Sequence, residues 1–263
     1  MPNELHCEEK GNSNNPTLVF LHGLLGSSRN WRSVAKALSQ EYHTLCFDLP
    51  NHGKSFHQQS TSVQDMADAV LLRLREMAIA KFIICGHSLG GKVAMRMACD
   101  QPNSIEKLVV VDIAPRDYPP EHHVPTLDAL INIDLKKVSS RKEADLTLAD
   151  KIPNWAFRQF LLTNIDQHDG QLLWLPNLYN LRSSIECLSS NPLKHETFSG
   201  DVLFICGGKS GYVRSEHHDK IQQFFPNADI KILEKAGHDV HVEDREGFLS
   251  LLQSFLKDLK ATS

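Results

Sequence analysis

Residues 81–98 read Lys81-Phe82-Ile83-Ile84-Cys85-Gly86-His87-Ser88-Leu89-Gly90-Gly91-Lys92-Val93-Ala94-Met95-Arg96-Met97-Ala98. A short apolar run passes through Gly86-His87-Ser88-Leu89-Gly90 into helix-forming residues, so a strand, a sharp turn and a helix follow one another directly. A serine held on such a turn takes a strained backbone conformation, and small residues two positions before and after it relieve the crowding. Gly86 and Gly90 supply them. The Gly-x-Ser-x-Gly spacing alone is a weak signal. The strand before it and the helix after it make it specific and mark Ser88 as the candidate nucleophile of a hydrolase.

Outward from this turn, short apolar runs recur at residues 17–21, 44–47, 82–85, 108–111, 202–206 and 230–233, with helical stretches at 31–40, 63–77, 91–100, 216–225 and 245–259. The runs are continuously apolar rather than alternating, which indicates strands covered on both faces. Strand and helix in alternation predict an α/β fold, a mostly parallel central sheet flanked by helices. From about 113 to 198 the rhythm breaks. No β-rich run is evident there, and helix-like patches fall at 125–133, 141–150, 154–164 and 178–188. The reading is a core of residues 1–112 and 199–263 with a helical lid, 113–198, inserted between two core strands. An insertion at the carboxyl ends of sheet strands lies over the ligand crevice. Its aromatics Trp155, Phe157, Phe160, Trp174 and Tyr179 either line an apolar acyl pocket or pack the insertion's own helices.

The 263 residues suit one large domain. With 28 Lys plus Arg against 32 Asp plus Glu and no basic stripe, no nucleic-acid partner is expected. No apolar run approaches a membrane span, and the first nine residues lack a basic region followed by an apolar core, so the expectation is a cytoplasmic protein with no transmembrane segment. Six cysteines are present, and Cys46, Cys85 and Cys206 fall in or at the end of strand-like runs, as reduced structural thiols do. His122-His123 and His217-His218 lack cysteine or acidic partners at ligand spacing, so no metal site is expected.

A serine hydroxyl needs a base. Among 14 histidines, His238 directly follows the strand-like run 230–233 in Ala236-Gly237-His238, at the sheet edge where Ser88 also lies. His87 adjoins the nucleophile and should point away from it, and His241 lies nearer the closing helix. A carboxylate must hold the imidazole in the right tautomer. Asp112 ends the run 108–111 at the correct edge, with capping of a loop as its alternative role; Asp201 begins its strand at the far edge, and Asp239 adjoins His238 too closely.

These segments together resemble an α/β-hydrolase, and more narrowly the YbfF-type bacterial esterases and their mitochondrial relatives. The resemblance rests on His22-Gly23-Leu24-Leu25-Gly26-Ser27-Ser28 with Asn30-Trp31, on Asp48-Leu49-Pro50-Asn51-His52-Gly53-Lys54-Ser55, on the serine turn, on Val111-Asp112-Ile113-Ala114-Pro115 and on Gly237-His238. Asn51-His52-Gly53 and Gly207-Gly208-Lys209-Ser210 narrow it to the subgroup. The commonest pattern of the superfamily has an aspartate where Ser210 stands, and the YbfF-type enzymes move the acid one strand earlier, which corresponds to Asp112. The resemblance further implies an oxyanion hole from the backbone N–H groups of Leu24 and Leu89. Asp48 and residues 51–53 are expected to order a neighbouring loop.

The implied activity is hydrolysis of carboxylic esters and of acyl-CoA thioesters through an acyl enzyme, with the lid setting acyl length and no cofactor. Small-molecule esters or thioesters are the implied partners. Two alternatives remain open at this level: a carbon–carbon bond hydrolase or lyase of the same fold, and a non-catalytic ligand-binding protein.

Overall fold

The structure is a computed structural model and describes residues 4–257. Its strands are β1 (Cys7–Lys10), β2 (Thr17–Leu21), β3 (His43–Phe47), β4 (Phe82–His87), β5 (Ile105–Val111), β6 (Ile165–His168), β7 (Gln171–Trp174), β8 (Asp201–Gly207) and β9 (Ala228–Leu233). Seven of them form one sheet in the order β1-β3-β2-β4-β5-β8-β9. Six run parallel, and β1 pairs antiparallel with β3.

Helices α1 (Arg32–Leu38), α2 (Val63–Glu76), α3 (Leu89–Asp100), α9 (His218–Phe224), α10 (Val240–Glu243) and α11 (Arg245–Lys257) belong to the alternating part of the chain. The end of the predicted last helix, beyond 257, lies outside the described residues. Both sheet faces are covered, as continuous hydrophobicity requires. On β4, Ile83 and Cys85 pack with Val34 and Leu38 of α1 and Phe248 and Leu252 of α11. Phe82 and Ile84 pack on the other face with Met66 and Val70 of α2 and Val93 and Met97 of α3. Fully burying each such side chain contributes about 1.5–3 kcal/mol before chain entropy is charged against it. Cys46, Cys85 and Cys206 are buried in β3, β4 and β8, and burial pushes their thiols upward. No helix among the described residues is long and apolar enough to cross a membrane.

Between β5 and β8, which are direct neighbours in the sheet, the chain inserts α4 (Val124–Ile131), α5 (Arg141–Leu148), α6 (Trp155–Leu162), the strands β6 and β7, α7 (Leu178–Ser183) and α8 (Ile185–Ser189). Leu127, Leu130, Leu161, Leu181 and Leu188 of this segment join the same apolar cluster as α2 and α3, so it packs on the α3 side. The sequence reading of an all-helical insertion needs correction, because β6 and β7 pair as an antiparallel hairpin. Each strand has four residues, too few to carry an apolar pattern. The signal is in the turn: Asp169 and Gly170 both take positive φ, 49° and 80°, as a two-residue Asp-Gly hairpin turn requires.

The turn between β4 and α3 fixes the geometry of the site. A Cβ on Gly86 would lie 2.1 Å from the Gly90 carbonyl oxygen, and one on Gly90 would lie 2.4 Å from the Leu21 carbonyl oxygen. Backbone stands where a methyl group would go, so relief requires moving α3 away from β2 and β4. Gly86→Ala and Gly90→Ala should each destabilise the fold by about 1–3 kcal/mol through overpacking. Chemical denaturation of the purified variants checks this, and an unchanged midpoint would contradict the close-packed turn.

Candidate active site

Ser88 has φ 51° and ψ −116°, a conformation few non-glycine residues adopt. Its N–H still donates to the Val111 carbonyl at 3.0 Å, extending the β4–β5 ladder by one residue. Asp112 repeats the arrangement one strand over. It has φ 51°, and its N–H donates to the Ile205 carbonyl of β8 at 3.0 Å. Each residue is the first past its strand, held by the neighbouring strand while its own backbone turns out of the sheet.

His238 arrives from the loop after β9. Its Nδ1–H donates to Asp112 Oδ2 at 2.7 Å, and the Ser88 hydroxyl donates to its Nε2 at 3.0 Å. Asp112 is fully buried and its carboxylate is satisfied on every side. Oδ1 accepts from the Gly207 N–H at 3.0 Å, and Oδ2 accepts from the Ser210 hydroxyl at 2.5 Å as well as from His238. Ser210 therefore supplies the acid with a donor in place of being the acid. The structure brings Ser88, His238 and Asp112 together as a chain of hydroxyl, imidazole and carboxylate.

Leu24 and Leu89 line the pocket beside Ser88. Among the described residues no protein acceptor takes the N–H of either. The Leu24 loop is held from behind: His22 Nδ1–H donates to the Gly23 carbonyl at 2.8 Å, and its Nε2 accepts from the Leu49 N–H at 3.0 Å. Burial holds the His22 ring below the ordinary histidine range, in the neutral form this pair of bonds needs. Asp48 ties the same loop to the next one, accepting from the Ser28 and Lys54 N–H groups at 2.6 and 2.8 Å. Asp48, Asn51, His52 and Gly53 are all absent from the pocket lining.

The competing histidines have other places. His87 donates from Nε2 to the His238 carbonyl at 2.9 Å and supports the loop that carries it. The His241 ring stacks on Trp31 with centroids 4.2 Å apart, and burial lowers its pKa to about 3. No cluster of three metal-ligating side chains occurs among the described residues.

Several pocket residues went unread in the sequence. The Tyr212 ring stacks on His238 at 3.8 Å and 15°, and Tyr118 packs on Tyr212 at 5.4 Å. The Tyr118 hydroxyl donates to the Tyr212 carbonyl and accepts from the Ala114 N–H, both at 2.9 Å. Lys92, one helical turn past Ser88, and His123 also line the pocket; burial lowers the first to about 7 and the second to about 4. Of the two roles open to the insertion's aromatics, lining this pocket is ruled out: Trp155, Phe157, Phe160, Trp174 and Tyr179 are all absent from it. Trp155 and Tyr179 are 65% and 70% exposed, and the buried stripe of α6 is Arg158, Leu161 and Leu162. Phe160 and Trp174 pack against the main apolar cluster. Tyr212 stands two residues past Ser210, so its place just beyond the Gly207-Gly208-Lys209-Ser210 motif was the available signal.

Burial of neutral histidines makes the fold acid-sensitive. His241 binds no proton in the folded state until about pH 3, whereas the unfolded chain protonates it near its ordinary value of 6.5. Between those values the unfolded state holds more protons, so stability falls as pH falls, and the contribution of this ring is complete above 6.5. From pH 6.5 to 5 the loss due to His241 is about 2 kcal/mol. His241→Phe should flatten the fall in melting temperature over that interval, measured as the difference between the two pH values for each chain.

Residues 18–251 match the profile described as the alpha/beta hydrolase family. The mouse protein named sn-1-specific diacylglycerol lipase ABHD11 is 37% identical over 253 residues, covering 94% of this chain and 82% of its own. Esterase YbfF of Escherichia coli strain K12 is 30% identical, covering 93% and 94%. A solved structure titled marine microorganism esterase superposes with TM-score 0.93 at 32% identity, over 97% of this chain and all of its own. Turn, sheet order and sequence match agree over nearly the whole length, and the chain belongs to the alpha/beta hydrolase family.

Proposed function

We propose that the chain is a serine carboxylesterase that also accepts acyl thioesters, working through an acyl enzyme. The observation that carries the reading is the unbroken path from the Ser88 hydroxyl through the His238 ring to the buried Asp112 carboxylate. The names of the mouse lipase and the Escherichia coli esterase support ester substrates.

In this reading His238 Nε2 takes the Ser88 proton as Oγ attacks the ester carbonyl, and Asp112 stabilises the imidazolium through Nδ1. The oxygen that becomes negative meets the N–H groups of Leu24 and Leu89, which are free of other acceptors before charge develops. His238 then gives its proton to the departing alcohol or thiol. Water, deprotonated by the same ring, releases the acid. Tyr212, stacked on His238, is a positioning residue that keeps the ring in the plane shared by Ser88 and Asp112. Residues 113–198 act as the lid over the pocket, since Tyr118, Leu188 and Ser189 form one wall of it.

Hydrolysis of nitrophenyl esters from acetyl to palmitoyl tests the proposal. Wild type should turn over members of the series, and Ser88→Ala should lower kcat by about 10³-fold or more. Absence of wild-type activity on every ester would overturn the reading in favour of carbon–carbon bond cleavage or ligand binding. Asp112→Asn should lower turnover by about 10³ to 10⁴-fold through the wrong tautomer, and activity within about tenfold of wild type would remove Asp112 from its role.

The Ser210 hydroxyl already touches the oxygen that His238 uses. In the Asp112→Asn background, Ser210→Asp returns a carboxylate to that spot and should recover about tenfold or more of the lost rate. In the native background the same substitution sets two carboxylates against each other and should slow the enzyme at neutral pH. Steady-state kinetics of the single and double variants check both outcomes.

A further inference from the structure

We infer that Lys92 sets the acyl-length limit of the enzyme by latching α8 over the nucleophile. The inference rests on the esterase reading above and names the residue that governs substrate size. Lys92 is in α3, four residues after Ser88, and is 3% exposed. Its ammonium donates to the carbonyl oxygens of Leu188, Ser189 and Ser190 at 3.2, 2.6 and 2.8 Å. An ammonium has three N–H donors, and all three are committed to one short stretch of chain. That stretch is the carboxyl end of α8, where unpaired carbonyls and the negative end of the helix dipole favour a cation. The Tyr118 N–H adds a fourth tie to the Ser189 carbonyl at 3.0 Å.

The same α8 residues form a wall of the pocket: Ile185, Leu188 and Ser189 face Ser88 and Leu89 across it. The space left between them is about 30 Å³, room for one or two water-sized groups. A short acyl group such as acetyl suits that space, whereas an octanoyl chain adds six methylene groups and requires α8 to retreat. Retreat of α8 strips its carbonyls from Lys92 and leaves buried N–H donors without partners, which is the costly half of breaking such an interaction. Long chains therefore work against Lys92 in proportion to how far they displace α8, and short ones do not. Among the described residues, no other α3 side chain hydrogen-bonds the insertion beside Ser88. Arg96, one turn further along, binds the Pro192 carbonyl and Glu196, beyond the pocket wall.

The test compares kcat/KM for nitrophenyl octanoate and nitrophenyl acetate in wild type, Lys92→Met and Lys92→Gln. Methionine keeps the length and apolar stem of lysine without its donors, and glutamine retains two donors and no charge. The octanoate-to-acetate ratio should rise about tenfold in Lys92→Met and by less in Lys92→Gln. A general loss of stability would lower both substrates together and leave the ratio alone. A ratio within about twofold of wild type in a variant that unfolds cooperatively would overturn the latch. The unaltered chain offers a second measurement, independent of whether the variants fold. Ser88 is phosphonylated with a nitrophenyl methylphosphonate or a nitrophenyl octylphosphonate, nitrophenolate leaving as the Oγ–P bond forms, and amide hydrogen exchange of residues 185–191 is followed. The octyl adduct alone should speed exchange there. Equal exchange in the two adducts would overturn the latch. A wild type that neither hydrolyses esters nor accepts the phosphonate defeats the esterase reading itself, so the two failures are told apart.

Discussion

Two amide hydrogen bonds at strand ends govern the rest of the structure. The Ser88 N–H reaches the Val111 carbonyl and the Asp112 N–H reaches the Ile205 carbonyl, so β4 is registered on β5 and β5 on β8 at the points where chemistry begins. Each bond holds a residue at positive φ, a conformation that costs on the order of 1–3 kcal/mol and persists only where surrounding structure enforces it. The enforcement comes from the sheet. Interior strands covered on both faces have little freedom to slide, because a shift of one residue would turn apolar side chains from one packed layer into the other. The cores on the two faces thus position a hydroxyl and a carboxylate to within hydrogen-bonding tolerance of one imidazole.

The third group is positioned differently. His238 sits on a loop, and what steadies it is contact: Tyr212 against one side, His87 on its carbonyl, Asp112 on Nδ1. A hydroxyl and a carboxylate fixed at strand ends facing a loop-borne imidazole is a division that suits the proton transfers proposed for that ring. It also explains the density of neutral, buried histidines here. His22, His87 and His241 serve as flat donors, acceptors and packing surfaces behind the site while burial keeps them uncharged.

The six parallel strands, the helices that alternate with them, and the meeting of Ser88, His238 and Asp112 at one sheet edge were legible in the sequence because each is tied to a local pattern; the antiparallel edge strand β1, four mostly charged residues, was not. Residues 82–85 are continuously apolar, Gly86 and Gly90 flank the serine, and Val111-Asp112 ends a strand. The insertion was less legible. Its elements are short, its hairpin strands are half polar, and its buried stripes are set by packing on α3 rather than by a period of its own. Trp155 and Tyr179 were expected to be covered, in a pocket or among the insertion's helices, because large aromatics are usually buried; a neighbouring surface, not the residue type, decides which ones are. Ser210 illustrates a different limit. Against the common pattern it looks like a missing acid, and only the fold shows its hydroxyl bonded to the Asp112 carboxylate that His238 meets.

The position of Asp112 has an evolutionary consequence. With the carboxylate carried by β5, the loop after β8 owes the site only a hydroxyl and an aromatic face, from Ser210 and Tyr212. The segment that begins at Ile113 is joined to Asp112 by a single peptide bond and anchored through Tyr118 four residues past Ala114. Recombination that exchanges insertions between related chains would have to carry the acid's own backbone along with the new insertion. The insertion and the carboxylate that His238 faces thereby form one continuous block of chain.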